Sequence, residues 1–277
     1  MEEEFMNHKK MLLATLLAAS SFAVQSAHAA PNWIGTADYT AGSTEMDEDV
    51  VGPFSTYDFG TGVVLMETTS VVGNVTNLNG YFQSFVTNHE LDSVLVPANN
   101  LNATYELTVV ASFSQATTQV DLTTASTVIQ NGGSFTIYRD TTPDRDYTTD
   151  SGFTNGDVIM SGIITGGGGV AATFGSAIFG ANDITVQVTS FDAAVFEPDT
   201  IASANGIFTL RLGNSADASF LGSVNSVLGN SAGVGDYKFA ADGYATLAVP
   251  EAETYAMMLA GLGLVGFMAR RRARMSA

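Results

Sequence analysis

Apolar and polar residues alternate along much of the central part of the chain. The clearest run is 105–114, where Leu107, Val109, Ala111 and Phe113 alternate with mainly polar neighbours. A period of two places one apolar and one polar face on an extended strand. Alternating or β-rich runs recur at 63–66, 81–86, 135–138, 158–164, 183–189, 207–212 and 237–240. Together these runs predict eight strands.

Short segments that contain glycine separate the predicted strands. They lie at 131–133, 155–156, 166–169, 205–206 and 242–243, and several are Asn-Gly or Asp-Gly pairs, which favour tight hairpins. The glycine run 166–169 lacks the Lys-Ser/Thr of a phosphate-binding loop, so we interpret it as a flexible turn. Segments 121–130 and 223–228 are compatible with short helices. The pattern predicts an all-β fold, an antiparallel β-sandwich or jelly-roll-like domain.

The first 29 residues have the features of an export signal. Lys9 and Lys10 precede a mostly apolar run at 11–24, which is too short to span a membrane comfortably. The small-x-small pattern of Ala27 and Ala29 then predicts signal peptidase cleavage before Ala30. Either Met1 or Met6 could start this signal. We therefore predict a signal helix at 1–29, Sec-dependent export, and a secreted domain at 30–249.

Residues 250–277 have the features of a second targeting signal. The short polar segment that opens with Val249, Pro250, Glu251 and Ala252 leads into an apolar run at 255–269. The run ends in Arg270, Arg271, Arg272 and Arg274, and basic clusters mark the cytoplasmic side of membrane segments. About 20 residues are needed for a full span, so this shorter run favours a temporary anchor over a permanent one.

This C-terminal arrangement resembles the PEP-CTERM sorting signal, although Ala252 replaces the second proline of the motif. The resemblance implies export by a Gram-negative bacterium that makes exopolysaccharide. It also implies transient anchoring in the inner membrane and cleavage near the motif by an exosortase. Segments 33–39, 135–140 and 152–162 are similar to a flocculation-associated subgroup of that family.

Charge and composition exclude several classes of protein. The chain has 28 Asp and Glu, 10 Lys and Arg, and no cysteine. Only four of the basic residues lie within 30–249, so this domain is strongly acidic and a nucleic acid is not an expected partner. The lack of cysteine excludes a disulfide scaffold and a Cys-ligated zinc site.

Candidate chemistry within the domain is sparse. His89 is the only histidine in 30–249; it is followed by no second metal-binding histidine and is interpreted as a solvated loop residue. The single tryptophan, Trp33, is expected to be exposed near the mature N-terminus, where it would not serve as a sugar platform. The one candidate metal site is an oxygen-rich loop suited to Ca²⁺, with the carboxylates Asp140, Asp144, Asp146 and Asp150.

The sequence therefore predicts a non-enzymatic, exported protein of the extracellular matrix or cell surface. Its expected partners are signal peptidase and the Sec machinery, an exosortase, the membrane before processing, and extracellular polysaccharide in a biofilm or floc. No cofactor is predicted apart from the candidate Ca²⁺. The alternatives are a secreted enzyme that acts on polysaccharide through paired carboxylates, and a periplasmic protein permanently anchored by its tail.

Overall fold

The structure is a computed structural model that describes residues 32–42, 48–174, 177–201, 207–215 and 218–248. For residues 174, 177, 200, 207–215, 218 and 219 it describes the backbone alone. The predicted signal helix at 1–29 and the predicted sorting segment at 250–277 lie outside the described residues. Within the described residues, no helix is long and apolar enough to cross a membrane.

Strands dominate the described residues. This part of the chain also contains two short helices, the 3₁₀ helix Asp199–Ile201 and α1 (Ala218–Leu221). The strands are β1 (Gly35–Asp38), β2 (Val50–Phe54), β3 (Thr56–Phe59), β4 (Gly62–Val72), β5 (Val75–Leu91), β6 (Val94–Val96), β7 (Glu106–Gln119), β8 (Thr124–Ile129), β9 (Gly133–Asp140), β10 (Asp157–Phe174), β11 (Ala177–Phe191), β12 (Phe196–Glu197), β13 (Ile207–Ser215), β14 (Ser226–Val227), β15 (Asn230–Ser231) and β16 (Tyr237–Ala248).

The main sheet closes on itself. Successive antiparallel pairings join β4 to β5, β5 to β7, β7 to β9, β9 to β10, β10 to β11, β11 to β13 and β13 to β16. The last strand, β16, then pairs with β4 and completes the ring. Consecutive strands are neighbours throughout, so the ring is an up-and-down meander.

Two positions in the ring are each occupied by a pair of collinear strands. Both β8 and β9 pair with β7 on one side and with β10 on the other, so they form one interrupted strand. Both β3 and β4 pair with β5 and β16 in the same way. The ring therefore has eight strand positions.

All eight predicted strands are confirmed, because seven of the runs fall within a strand of this ring and the run at 105–114 begins one residue before β7. The all-β, antiparallel class is confirmed as well. The prediction of a β-sandwich or jelly-roll-like domain was wrong, because the ring has neither the two facing sheets of a sandwich nor the Greek-key strand order of a jelly roll. Pairing between β4 and β16 replaces the two open edges that a sandwich would have.

Residues of alternating strand positions fill the interior of the ring. Leu107, Val109, Ala111 and Phe113 on β7 all belong to the main hydrophobic core, as their alternation predicted. Matching inward residues come from β4, β5, β9, β10, β11 and β16. The core is therefore a property of the closed sheet as a whole.

The glycine run at 166–169 is not a turn. It lies inside β10, where the pairing partner changes from β9 to β8 and the register shifts between Ile164 and Gly166. Gly167 has φ of 143°, and a Cβ there would lie 2.2 Å from the Asp183 carbonyl oxygen of β11. Glycine is used at this place because the strand bends tightly against its neighbour.

Other local predictions were also wrong. Asp242 and Gly243 lie within β16, where they pair with Gly213 and Leu212 of β13. The two expected helices are absent, since segment 121–130 contains β8 and segment 223–228 contains β14. The small cluster of Val63, Leu65, Val224 and Val227 shows that the second segment packs on the outer face of the ring.

A second, three-stranded sheet of β12, β1 and β2 covers one end of the ring. Trp33 precedes β1 and packs edge-on against Phe54 of β2 and Phe196 of β12. All three rings belong to the same core cluster as the interior of the ring. We call this sheet, together with Trp33, the plug.

Candidate functional site

The end of the ring opposite the plug holds a cavity of about 210 Å³, which we call the cup. Its apolar floor is formed by Val64, Met66, Leu78 and Phe113, which are members of the core cluster. Gly80 makes room for this floor, because a Cβ there would lie 2.5 Å from the Phe113 ring. The stacked rings of Tyr237 and Phe239, whose centroids lie 6.1 Å apart, also line the cup.

Polar groups line the upper wall of the cup. On the inward face of β7 the lining changes from apolar to polar, because Phe113 is followed by Gln115, Thr117 and Gln119. Because inward side chains alternate along a strand, these residues point to the same side as the core residues that precede them. The remaining polar lining residues are Thr76, Thr123, Thr124, Thr127, Thr173 and Asn182.

Two hydrogen-bonded pairs organise this polar wall. The Thr127 hydroxyl donates to Oδ1 of Asn182, and both residues are more than nine-tenths buried. On the neighbouring strand β7, Nε2 of Gln115 donates to Oγ1 of Thr117 over 3.0 Å. The first contact joins two strands and the second lies within β7, and both hold an amide in place before any ligand arrives.

Among the described lining residues of the cup, one buried side-chain atom has no hydrogen-bond partner. Gln115 is 93% buried, and its Oε1 accepts no hydrogen bond. A buried acceptor left unsatisfied costs about 1–3 kcal/mol, so native structures keep few of them. The carbonyl of Gln115 is therefore a buried acceptor without a donor, in the wall of the cup.

The described lining of the cup contains no Asp, Glu, His, Lys or Arg. This neutrality contrasts with the formal net charge of −18 of the whole chain. The cup can therefore make hydrogen bonds and apolar contacts with a ligand, and its described lining residues include no carboxylate, imidazole, amine or guanidinium group.

The four aspartates of the predicted calcium site do not converge. Asp140 accepts a hydrogen bond from the Thr142 amide, and Asp146 accepts one from the Thr148 amide, which lowers the pKa of Asp146. Asp144 and Asp150 have other partners, namely the Asn155 side chain and the backbone amides of Leu228 and Gly229.

Among the described residues, no group of three or more acidic or histidine side chains could hold a metal ion. The geometry thus lends the calcium site no support, and Ca²⁺ binding stays a prediction. What the aspartates do in this structure is cap turns and tie the loop between β9 and β10 to the β14–β15 hairpin.

The two arginines beside these aspartates have partners on opposite faces of the ring, Arg145 on the outer face and Arg139 on the inward face. Arg145 forms an ion pair with the fully buried Glu106 and lies 3.6 Å above the Phe85 ring. Glu106 also accepts the backbone amides of Asp144 and Arg145, so a single carboxylate fixes this part of the loop. Arg139 is 3% exposed and donates to the carbonyl oxygens of Tyr39 and Ala41, next to the plug.

The prediction that His89 is a solvated loop residue is wrong. His89 lies on β5, is fully buried, and contacts the rings of Tyr39, Phe54 and Tyr57. The Tyr39 hydroxyl lies 2.7 Å from Nε2 of His89 and donates to the Tyr57 hydroxyl, while Nδ1 has no partner. Burial lowers the pKa of His89 to about 3, so the ring is neutral.

Trp33 is also buried, contrary to the expectation of an exposed N-terminal residue. Only 1% of its surface is accessible, and its Nε1 donates to the Pro198 carbonyl over 3.0 Å. Its burial needs β2 and β12, which are distant in sequence, and for that reason the local pattern around Trp33 did not reveal it. The cup was missed as well, although the run of Gln and Thr on the inward face of β7 was a visible signal.

The two ends of the described chain lie side by side at the plug. Asn32 forms an antiparallel bridge with Ala248, and the Trp33 amide donates to the Leu247 carbonyl over 2.9 Å. The predicted signal peptidase site, Ala27, Ala29 and Ala30, lies outside the described residues. Two further predicted signals also lie outside the described residues. They are the sorting motif at Val249, Pro250, Glu251 and Ala252 and the basic cluster at Arg270, Arg271, Arg272 and Arg274.

Comparison with known families bears on this C-terminal segment. Residues 248–272 match the PEP-CTERM protein-sorting motif, the segment in which the sequence predicted it. No curated protein and no solved structure matches the chain. The motif indicates an extracellular protein that a Gram-negative bacterium sorts with an exosortase. The chain thus carries a PEP-CTERM sorting motif, which supports its assignment as an exported, exosortase-processed PEP-CTERM protein.

Proposed function

We propose that this protein is a non-enzymatic component of the extracellular matrix or cell surface that binds exopolysaccharide through the cup. The sorting motif supports its export to the compartment where such a polymer accumulates. The observation that carries the proposal is the chemistry of the cup, an uncharged cavity with an apolar floor and a wall of threonine hydroxyls and amides. A role in biofilm or floc formation follows from polymer binding, in line with the resemblance to the flocculation-associated subgroup.

Electrostatics favour a neutral ligand group. A chain with a formal net charge of −18 repels an anionic polymer, and no positive side chain among the described lining residues would offset that repulsion. Neutral sugars combine hydroxyl groups with apolar ring faces. Tyr237, Phe239 and Phe113 supply flat apolar surfaces for such faces, and Gln115 and Asn182 supply amides.

The absence of acid and base groups supports binding over hydrolysis. Most glycosidases place two carboxyl groups about 5–10 Å apart across the bond that they cleave. The described lining of the cup offers no carboxyl group. We therefore propose that the cup holds its sugar without cleaving it.

Co-sedimentation with the matrix polysaccharide of the producing strain tests this function. The processed protein from culture medium should sediment with the polymer, while a variant with Thr127→Val and Asn182→Leu should stay in solution with an unchanged circular dichroism spectrum. These substitutions remove the polar pair and keep the side-chain volume. If wild-type protein stays in solution at every polymer concentration, the proposed function is wrong.

Intact-mass spectrometry of the same preparation tests the predicted processing. We expect a chain that starts at Ala30 and has lost the basic cluster at 270–274. If protein in the matrix retains those arginines, exosortase release fails as an explanation and the permanently anchored alternative gains support.

A further inference from the structure

We propose that Asn155 is a site of spontaneous covalent modification, at which its side-chain amide becomes a carboxylate, and that this change loosens the loop 141–156 between β9 and β10. The inference is independent of what the cup binds. It rests on the different surroundings of the Asn-Gly pairs that the structure describes, which are 79–80, 131–132 and 155–156.

The reaction at an Asn-Gly pair needs only the chain itself and water. The backbone nitrogen of the glycine loses its proton and attacks Cγ of the asparagine, a bond forms between these two atoms, and the side-chain nitrogen leaves as ammonia. Water then opens the five-membered imide and leaves an aspartate, or an isoaspartate in which the main chain runs through the former side chain. Glycine favours the attack because it has no side chain to hinder the approach. An unengaged glycine amide in a backbone that can turn is therefore the structural requirement.

The first pair, Asn79 and Gly80, lies inside the sheet. Gly80 pairs with Met66 of β4 on one side and with Phe113 of β7 on the other, so its backbone belongs to the hydrogen-bonded ladder. Gly80 is also buried, and the Phe113 ring lies 2.5 Å from where a Cβ would be. The five-membered ring could close only if these pairings broke, so the folded domain protects this pair.

The second pair, Asn131 and Gly132, lies in the break between β8 and β9. Both residues are exposed, but the Gly132 amide donates to the Ile164 carbonyl oxygen of β10 over 2.9 Å. The nitrogen that would attack is therefore engaged in a hydrogen bond, which has to open before the reaction can begin. The fold thus slows this pair despite its exposure.

The third pair, Asn155 and Gly156, lacks both kinds of protection. Asn155 is exposed, and no described residue accepts a hydrogen bond from the Gly156 amide. Gly156 precedes β10, which begins at Asp157, so its amide lies outside the ladder of the sheet. The fold also requires glycine here, because a Cβ would lie 2.4 Å from the Arg139 carbonyl oxygen. The structure therefore keeps the reactive pair and leaves its attacking nitrogen unengaged.

The amide that would be lost has a partner across the loop. Nδ2 of Asn155 donates to Oδ1 and Oδ2 of Asp144, each over 3.2 Å. A carboxylate cannot donate, so the reaction replaces a charge-assisted hydrogen bond with two negative charges that repel each other. The backbone amide of Asp144 donates to the fully buried Glu106 over 2.9 Å, which holds Asp144 in place. The segment that carries the new carboxylate should therefore move away from Asp144.

Peptide mapping by mass spectrometry tests the site of modification. In the purified secreted protein, held in mildly alkaline buffer, deamidation at Asn155 should be at least tenfold faster than at Asn79 or Asn131. The products at Asn155 should include both aspartate and isoaspartate, which separate by chromatography.

The same protein in guanidinium chloride is the control for the effect of the fold. The three pairs should then react at similar rates, because the reacting residues are the same and the fold no longer distinguishes them. Reaction at Asn79 or Asn131 that keeps pace with Asn155 in the folded protein would overturn the assignment. So would a rate at Asn155 that is at least tenfold lower in the folded protein than in denaturant.

A matched set of variants tests the effect on the loop. Asn155→Asp reproduces the charge of the product and should lower the melting temperature by about 2–4 °C, less in high salt, which screens the repulsion. In an Asp144→Asn background the same substitution should cost much less, because one carboxylate of the pair is gone. Asn131→Asp makes the same chemical change at an exposed position outside this loop and should leave the melting temperature unchanged. Equal melting temperatures for wild type and Asn155→Asp, or equal losses with and without Asp144→Asn, would overturn the loosening of the loop.

Discussion

The two ends of the ring are built from the same strands, but they differ in the polarity of their inward side chains. At the plugged end, aromatic rings and small apolar residues meet under a second sheet, and Trp33, Phe54 and Phe196 leave no space between them. At the open end, the inward positions become Thr, Gln and Asn, and a cavity remains. The contrast teaches that one end contributes stability to the fold and the other is free to bind.

The largest test of this contrast removes the tryptophan of the plug. Trp33→Ala should lower the free energy of unfolding by about 3–5 kcal/mol, because a large buried ring leaves a cavity and an unpaired Pro198 carbonyl. The neighbouring Ile34 is 52% exposed, so Ile34→Ala should change stability by less than about 0.5 kcal/mol. Denaturant unfolding measures both, and similar values for the two would refute the assignment of Trp33 to the plug.

Acid should weaken the plugged end through His89. The folded pKa is about 3 and the unfolded value is about 6.5, so the unfolded chain takes up the proton first as the pH falls. The contribution of His89 is complete above about pH 6.5 and is lost as the pH falls towards about 3. Between pH 6.5 and 5 we expect a loss of about 2 kcal/mol, at about 1.4 kcal/mol per pH unit.

The matched control for this pH effect is His89→Gln. Whatever its stability at pH 6.5, the slope of its unfolding free energy against pH from 6.5 to 5 should be flatter, since ordinary carboxylates titrate mainly below that window. Parallel slopes for the two proteins would show that His89 is not the group responsible.

In the wall of the cup, the effect on stability should be smaller. Thr127→Val removes the donor to Asn182 at constant shape and should cost about 1–2 kcal/mol, the usual cost of a buried acceptor that loses its partner. Val128→Ala, at a 55% exposed position on the same strand, serves as the control. A thermal melt that ranks Val128→Ala as the more harmful change would contradict the proposed hydrogen bond.

The smallest effect on stability should have the opposite sign. Gln115→Met replaces a buried amide with an unsatisfied carbonyl by an apolar side chain of similar length, so stability should stay constant or rise by up to about 1 kcal/mol. A clear loss of stability in chemical denaturation would show that the amide of Gln115 has a structural role. Cup and plug would then differ less than the structure indicates.

Local patterns predicted the strands well and their closure not at all. Alternation is a property of neighbouring residues, so the run at 105–114 located β7 directly. Closure depends on the pairing of β4 with β16, residues about 170 positions apart, for which no short pattern exists. Gly167 and Gly243 were assigned to turns because glycine marks turns locally, whereas the tight curvature of a closed sheet needs glycine within its strands.

Contacts between distant parts of the chain also explain why the predictions for single residues failed. His89 and Trp33 are polar or terminal in sequence, and both are covered by segments from elsewhere in the chain. The aspartates at 140–150 resembled a calcium loop in composition, but their geometry depends on which backbone amides each one meets. The sorting motif was identified because it is a linear signal that needs no fold to be recognised.

The bridge between Asn32 and Ala248 has a mechanical consequence. It places the exit of the chain towards the sorting tail at the plugged end, and the ligand would pull at the opposite end, in the cup. Tension between the C-terminal end of the domain and a bound polymer would then run along the strands, and the antiparallel hydrogen bonds are perpendicular to the strands. Such a load is shared by many hydrogen bonds at once instead of opening them one after another, which would suit the proposed role in a biofilm or floc.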